Sequence, residues 1–581
     1  MKKLFFAFVL LLTAICVISC SATADDGDKT EDINPDSIQV ESVLGLNEQI
    51  YLTLTKGEYV ISYKESDAEE YALLDKELMI ENGEKLDCYI LGLAKGIYDV
   101  KIEQGEGENY ACKVLPDIDV EKQDRSGYAH FGREDGIGGY NNDGTVKDGA
   151  KIIYVSNETK NTVTLDINGT TYTGLVAILQ ANRHMEDPLI IRVLDKITTN
   201  QWVATSVSPG LSDYSSVPDG YYESIFSDQY GENLAGLPVW IDIGELDTRY
   251  KYATSADGIV FADAVPLSPL MDGNSVTGCM MNMLEVINGK DITIEGVGTK
   301  AELFQFGIAF EYCSSIEIKN LIFSKYPVDG LSIKAADEVA DHGWVWIHNN
   351  TFNAGYSSFW YRINDSDYKG EYNSGGYGDA DGDESIDLRD VRNFTFSYNK
   401  FFKTGKTIIL GGWEYDVCMN MTFHHNFYLL ADQRLPLSRN SNIHNYNNYF
   451  ADCKRGLSPR TSTYVFSEAN YFDGVGEAYY FSSSETQGAI KSFGDMYRNT
   501  YAQDVVTKVT ERDAIVENTC KADWVTDHSK FDTDPALFYY DVENKCSDVE
   551  LMHEAKDVPS FVPKYAGAGI LTRMEFPSSE E

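Results

Sequence analysis

The sequence predicts an all-β protein: a right-handed parallel β-helix preceded by a small N-terminal β-sandwich-like domain. Three observations predict it. Short strands ending in an asparagine recur in the C-terminal half, as IEIKNLIF, VWIHNNTF, FTFSYNKF, MTFHHNFY, HNYNNYF and VFSEANYF. Asn320, Asn350, Asn399, Asn426, Asn448 and Asn470 are followed two positions on by Ile322, Phe352, Phe401, Tyr428, Phe450 and Phe472. The asparagines are spaced by 22 to 30 residues and once by 49, the period of one solenoid coil with loops inserted at a fixed corner. Asparagines repeating at one bend stack into an amide ladder, and the aromatics stack inside the same coil. Upstream, short alternating segments separated by glycine turns give the sandwich.

Taken in order, residues 1–20 carry Lys2 and Lys3 and then an apolar run from Leu4 to Ile18, an export signal too short to span a bilayer comfortably. Its end, Val17-Ile18-Ser19-Cys20, resembles the lipobox of bacterial lipoproteins, in which the cysteine thiol takes a diacylglycerol. The resemblance implies lipidation at Cys20 and anchoring to the bacterial outer membrane, exposed at the cell surface, because each buried methylene contributes about 0.8 kcal/mol to membrane binding. Residues 21–36 are small, polar and acidic, a tether that cannot bury enough surface to order itself. The sandwich is expected over 37–118, with strands at Tyr51–Leu54, Tyr59–Tyr63, Cys88–Leu91, Ile97–Ile102 and Tyr110–Val114, and the β-helix over 119–581. A helix from Gly174 to His184, with Thr173 as N-cap, would cover one solenoid end. The stretch 194–284 shows neither repeat nor motif.

A net charge of −43 argues against nucleic acid as a partner and requires any polyanionic ligand to be met by local cations. Of ten cysteines, eight remain beyond Cys16 and Cys20 in an oxidising compartment, where Cys88 with Cys112, or Cys520 with Cys546, are candidate local pairs. The absence of a CxxC motif argues against structural zinc.

Chemistry concentrates between Asp329 and Phe450. Asp383 and Asp387 lie four apart around a turn into a strand, and Asp329 opens a strand expected two coils earlier, so winding would bring three carboxylates to one wall. Clustered carboxylates repel unless a hard cation sits among them, and oxygen ligands select calcium. DADGDE is no helix-loop-helix calcium site, because its sixth position is Glu384 rather than glycine.

The segments DESID, FTFSYN, GKTIILGG, MTFHHNFY, QRLPLSR and IHNYNNYF, with KYAGAG near the C-terminus, resemble the pectate lyase family in content and order. The similarity is strong over 284–474 and weaker over 149–198; the tether and sandwich lie outside it. It implies a monomeric polysaccharide lyase that cleaves polygalacturonate by calcium-assisted β-elimination. Asp329, Asp383 and Asp387 would be the calcium ligands, Arg434 the base, and Lys406 and Arg439 the holders of substrate carboxylates. Family members carry a further aspartate where this chain has Pro327, a place that Asp381 or Glu384 could fill.

An arginine base is chemically awkward, and crowding by Lys406, Arg439 and calcium would be what lowers its affinity for a proton. Arg434 and Arg439 are separated by an odd number of positions, so a turn near Pro436 has to reorient one of them. His424 and His425 read as packing residues. Trp360, Tyr361, Arg362, Tyr368 and Tyr372 form an aromatic loop able to stack on sugars. Rival readings are a calcium-independent pectin lyase, a hydrolase needing acids paired across a water, and a non-catalytic glycan-binding lipoprotein.

Overall fold

The computed structural model describes residues 37–198, 283–335 except 305, 325, 327 and 328, 343–354, 384–482, 488–502 and 551–574, with residue 549 and short strands at 202–203, 254–255, 268–271, 275–277 and 515–517. Cys16, Cys20, the tether, the 356–377 aromatics, Asp381, Asp383, Pro327, Cys520 and Cys546 lie outside the described residues, as does nearly all of 199–282. The chain divides into two compact units, one of residues 1–123, 143–145 and 571–575, the other of the remainder.

The first unit holds two four-stranded antiparallel sheets. One pairs Val40–Gly45, Gln49–Thr55, Lys85–Leu91 and Met79–Asn82; the other pairs Ala72–Leu73, Val60–Glu65, Gly96–Gln104 and Ala111–Val120. Alternation decides what is buried: Ile50, Leu52, Leu54, Ile61, Ile90, Val100 and Ile102 point to the core. The expected Cys88–Cys112 bridge is corrected. They form no disulfide and lie buried on strands of different sheets, and burial pushes the Cys88 thiol up to about 12, which suppresses the reactive thiolate.

The second unit is a parallel β-helix built from three sheets. The first has ten parallel strands, from Lys151–Val155 and Leu189–Val193 through Lys290–Gly296, Ser314–Lys319, Gly343–His348, Val391–Ser397, Cys418–His424, Ser441–Tyr446 and Tyr464–Glu468 to Ala489–Phe493. The second stacks three-residue strands, among them Ile322–Ser324, Thr351–Asn353, Lys400–Phe402, Phe427–Leu429, Tyr449–Ala451 and Tyr471–Asp473. The third runs from Met283–Ile287 through Gly307–Glu311, Leu331–Lys334, Ile386–Arg389, Ile408–Leu410, Leu437–Ser438 and Arg455–Pro459 to Glu477–Tyr479.

From Ser314–Lys319 onward the corner between the first and second sheets keeps two residues, and this holds the repeat in phase. Its first residue is left-handed in each coil, with φ of 51° at Asn349, 53° at Tyr398, 52° at His425 and 48° at Asn447. The next residue is the ladder asparagine. Asn350, Asn399, Asn426 and Asn448 each donate from the backbone N–H to the amide oxygen of the following rung at 2.8–3.0 Å.

Asn320 is corrected, because it occupies the left-handed position (φ 55°) and Leu321 stands on the rung. The aromatic column accordingly begins at Phe323 rather than Ile322. It continues through Phe352, Phe401, Tyr428, Phe450 and Phe472 to Tyr497, with ring centroids 4.5–5.4 Å apart. The helix also starts later than expected. Residues 170–173 form a strand, Gly174 with φ 89° is the N-cap, and Leu175, Ile178 and Leu179 of Leu175–Ala181 join the core of the first coils.

Residues 124–142 lie against the outer face of the first sheet. Their backbone N–H groups at Tyr128, Ala129, Gly138 and Gly139 donate to the hydroxyls of Thr422, Thr395, Ser315 and Thr293. Thr293, Thr395 and Thr422 share one register position of the sheet, where a small hydroxyl accepts from the segment's backbone. Beneath the segment, His424 and His425 are both fully buried, since the left-handed backbone at 425 overrides strict alternation. Their Nδ1 atoms approach to 2.9 Å, and the rings stack on Tyr446 and Tyr398 respectively.

Burial, with His444 and His348 assisting and Asp124 opposing, holds His424 down to about 4. The unfolded chain therefore binds more protons than the folded one between the ordinary imidazole range and that value. Stability rises with pH across this window and is lost on acidification, by roughly 3 kcal/mol for a single such site. Urea midpoints measured through the window check this, and His424→Gln should flatten the slope. A wild-type profile already flat there refutes the assignment.

Candidate active site on the third sheet

Loops of variable length enter the third sheet at the N-terminal ends of its strands, and the predicted site residues among the described ones, Asp329, Asp387, Lys406, Arg434 and Arg439, lie on or beside those strands. Leu331–Lys334 pairs directly with Ile386–Arg389, so the coils of Asp329 and Asp387 are neighbours rather than two apart. Continuing that register sets Asp329 beside Glu384, whose backbone N–H donates to Asp329 Oδ1 at 2.9 Å. Glu384 in turn adjoins Lys406 in the next coil, which bridges to Gln433. Ile386 and Leu388 fill the interior, and alternation sends Asp387 and Arg389 outward.

Charge balances within this wall. Arg434 forms an ion pair with Glu384, a buried carboxylate. Arg389 donates to both oxygens of Asp387, from Nε at 3.2 Å and Nη2 at 2.8 Å. Burial opposes the charge on Arg389, but Asp387, with Asp416 and Asp329 beyond it, outweighs that cost and holds the guanidinium above its ordinary value. Arg439 donates from Nη1 to the backbone oxygens of Gly411 at 2.7 Å and Gly412 at 3.4 Å.

The reorientation expected near Pro436 occurs at Arg434 itself, which has φ of +63°, while Leu435 turns into the core. This frees the guanidinium from the inward alternation that its position would impose. Beside the cations expected around Arg434, the structure adds a carboxylate that the expectation did not include, Glu384. Sequence reasoning missed Arg389, although IDLR carried the signal, since the period of two that exposes Asp387 also exposes Arg389.

Whether calcium suits the wall is a question of donors. Asp329, Glu384 and Asp387 offer only carboxylate oxygens, all are buried, and two of them are held by guanidiniums, so the wall already demands positive charge. That chemistry fits a hard divalent cation. Asp124, His424 and His425 also bring ligand-type atoms within 4.8 Å of one another, but on the first sheet, with nitrogen donors that calcium avoids.

The fold and this wall define a parallel β-helix protein with a groove of paired carboxylates and cations. Over residues 280–567 it carries the pattern of the family described as pectate lyase. Pectate lyase 1 of Pectobacterium atrosepticum is 28% identical over 187 residues, 32% of this chain and 46% of the relative. Pectate lyase 3 of Pectobacterium carotovorum is 30% identical over the same shares. The chain thus spans less than half the length of the curated relatives it matches. Among solved structures, a pectate lyase from Bacillus sp. N165 in complex with trigalacturonate aligns at 18% identity and a TM-score of 0.43, covering 77% of this chain and 99% of that one. So loose a superposition carries no argument, and the fold rests on the strand pairing.

Proposed function

We propose that the protein is a pectate lyase that cleaves α-1,4-linked polygalacturonate by calcium-assisted β-elimination, releasing 4,5-unsaturated oligogalacturonides. The observation that carries this reading is the Arg434 guanidinium seated on the carboxylate wall of Asp329, Glu384 and Asp387, one coil from Lys406. Galacturonate has a weakly acidic proton on carbon 5, next to its carboxylate. Arg434, in its neutral form, accepts that proton. The released electron pair forms the double bond between carbons 4 and 5, and the bond from carbon 4 to the glycosidic oxygen breaks. That oxygen takes a proton from solvent and becomes the hydroxyl of a new reducing end.

Lys406 and Arg439 hold substrate carboxylates and stabilise the negative charge that develops during proton removal. Asp329, Glu384 and Asp387, together with Asp383, would hold calcium, which when bound neutralises the substrate carboxylate and stabilises enolate-like charge. Glu384 keeps Arg434 in place between turnovers and must yield the pair for the base to act.

One observation favours a second reading. Arg389 already neutralises Asp387 with both its oxygens, as an internal cation would in a calcium-independent lyase. Polygalacturonate incubated with the mature protein should yield unsaturated uronides, read by ultraviolet absorbance, and a chelator should abolish their formation. Chelator-resistant product supports the second reading, saturated product a hydrolase, and no product a glycan binder. Lipid anchoring at Cys20 on the outer membrane belongs to the same proposal and is supported by the signal sequence. It requires that the activity sediment with membranes and become soluble in Cys20→Ala.

A further inference from the structure

The loop that follows Ile408–Leu410 carries the most exposed aromatic side chains of the second unit's described residues. Trp413 is 58% and Tyr415 70% solvent-accessible. Leaving two large rings in water forgoes their burial, so a loop that presents them needs a reason. The rings are nearly parallel, 9° between planes, with centroids 6.4 Å apart, a lateral offset that makes a stepped surface rather than a closed stack. A turn at Glu414 and Tyr415, rather than a strand, brings the two exposed rings side by side.

The backbone beneath is fixed. Trp413 N–H donates to Asp416 Oδ2 at 2.9 Å, and Asp416 N–H returns to the Trp413 oxygen at 3.2 Å. Asn440 Nδ2 donates to the Glu414 and Asp416 oxygens at 2.6 and 2.8 Å, and Val417 N–H donates to Asp390 Oδ1 at 2.9 Å. Rings on a fixed loop lose little freedom on binding, which favours a ligand that stacks.

Position supplies the ligand. The residues just before Trp413 are Gly411 and Gly412, whose oxygens accept from Arg439. Gly412 lies so close to Arg389 that a Cβ there would meet its Nε at 2.8 Å. The rings therefore begin one residue from two guanidiniums of the groove wall. Cations that take carboxylates, adjoined by flat apolar faces, match a uronate polymer, since each galacturonate offers one carboxylate and one face bearing the hydrogens of carbons 3, 4 and 5.

We propose that Trp413 and Tyr415 form a sugar-stacking subsite of the groove, binding a galacturonate unit adjacent to the one held at Arg439. This rests on the lyase reading above. The rings touch substrate away from the reacting atoms, so they set affinity for long chains and leave the chemical step alone.

The test compares wild type with Trp413→Ala, Tyr415→Ala, the double variant and Trp413→Phe on polygalacturonate and on the shortest oligomer cleaved. Each alanine variant should raise KM on the polymer by roughly three- to tenfold. Changes in kcat should be small, the shortest oligomer should respond less, and Trp413→Phe should recover part of the loss. Thermal midpoints should stay level, because the rings are exposed. An active double variant with unchanged polymer KM, or an equal loss on the shortest oligomer, overturns the subsite and leaves the lyase reading intact. A wild type that neither cleaves nor binds polygalacturonate overturns both.

Discussion

Arg434→Ala is expected to lower kcat on polygalacturonate by roughly a thousandfold or more while KM changes much less, because positioned acid–base groups contribute about two to four orders of magnitude. The alternative role for Arg434 is to hold a substrate carboxylate, and the kinetic split separates the two. Loss of a binding cation raises KM, whereas loss of a group acting only in the transition state lowers kcat and kcat/KM together. Arg434→Lys keeps the charge but not the planar fork that meets Glu384, and should fall nearly as far. Thermal midpoints are measured alongside, since the Arg434 side chain is 22% exposed but its removal takes the guanidinium away from the buried Glu384 carboxylate. An alanine variant retaining more than about a tenth of wild-type kcat removes Arg434 from the chemical step.

Glu384 complicates the same reaction in a readable way. It is the direct partner of the base and also an oxygen donor beside Asp329. The sequence pointed to it only as a substitute calcium ligand. Its pairing with Arg434 was hidden because it depends on the left-handed backbone at 434, and neither RLPLSR nor DESID specifies that dihedral. Arg389 was different, because strand alternation alone puts it on the face of Asp387.

The solenoid was legible for a simple reason. A corner of fixed length forces ladder asparagine and core aromatic into constant phase, and five of the six predicted asparagines stand on rungs. Asn320 misled because the left-handed corner position also favours asparagine, so a residue type alone cannot separate two adjacent sites of similar preference. That Cys88 and Cys112 form no disulfide could not be read, since spacing says nothing about which sheet a strand joins.

The ladder has a direction, and its direction predicts the largest stability effect in the molecule. Asn426 donates from Nδ2 to the Phe396 oxygen and to Asn448 Oδ1, both at 2.9 Å, and its own Oδ1 accepts from the N–H and Nδ2 of Asn399. Asn426→Leu would remove four buried hydrogen bonds and leave the Asn399 N–H without its rung acceptor, so at about 1 kcal/mol per bond a loss of roughly 4 kcal/mol is expected from denaturant midpoints. Asn426→Asp keeps the acceptor but loses both donations and buries a charge, and should cost nearly as much.

The far end of the column obeys the opposite requirement. After Asn470 the rung is Asp495, which accepts from Asn470 N–H at 2.7 Å and Nδ2 at 3.1 Å, while its other oxygen takes Ser467, Ser492 and Tyr479 hydroxyls at 2.6–2.9 Å. Every partner there is a donor, so an acceptor-only carboxylate suits the last rung, and burial raises its pKa without depriving it of bonds. Asp495→Asn should therefore set an amide N–H against a hydroxyl donor and destabilise, whereas the same amide is indispensable three coils earlier at Asn426. Equal tolerance of Asn426→Asp and Asp495→Asn would mean that the rungs are interchangeable and the ladder has no polarity.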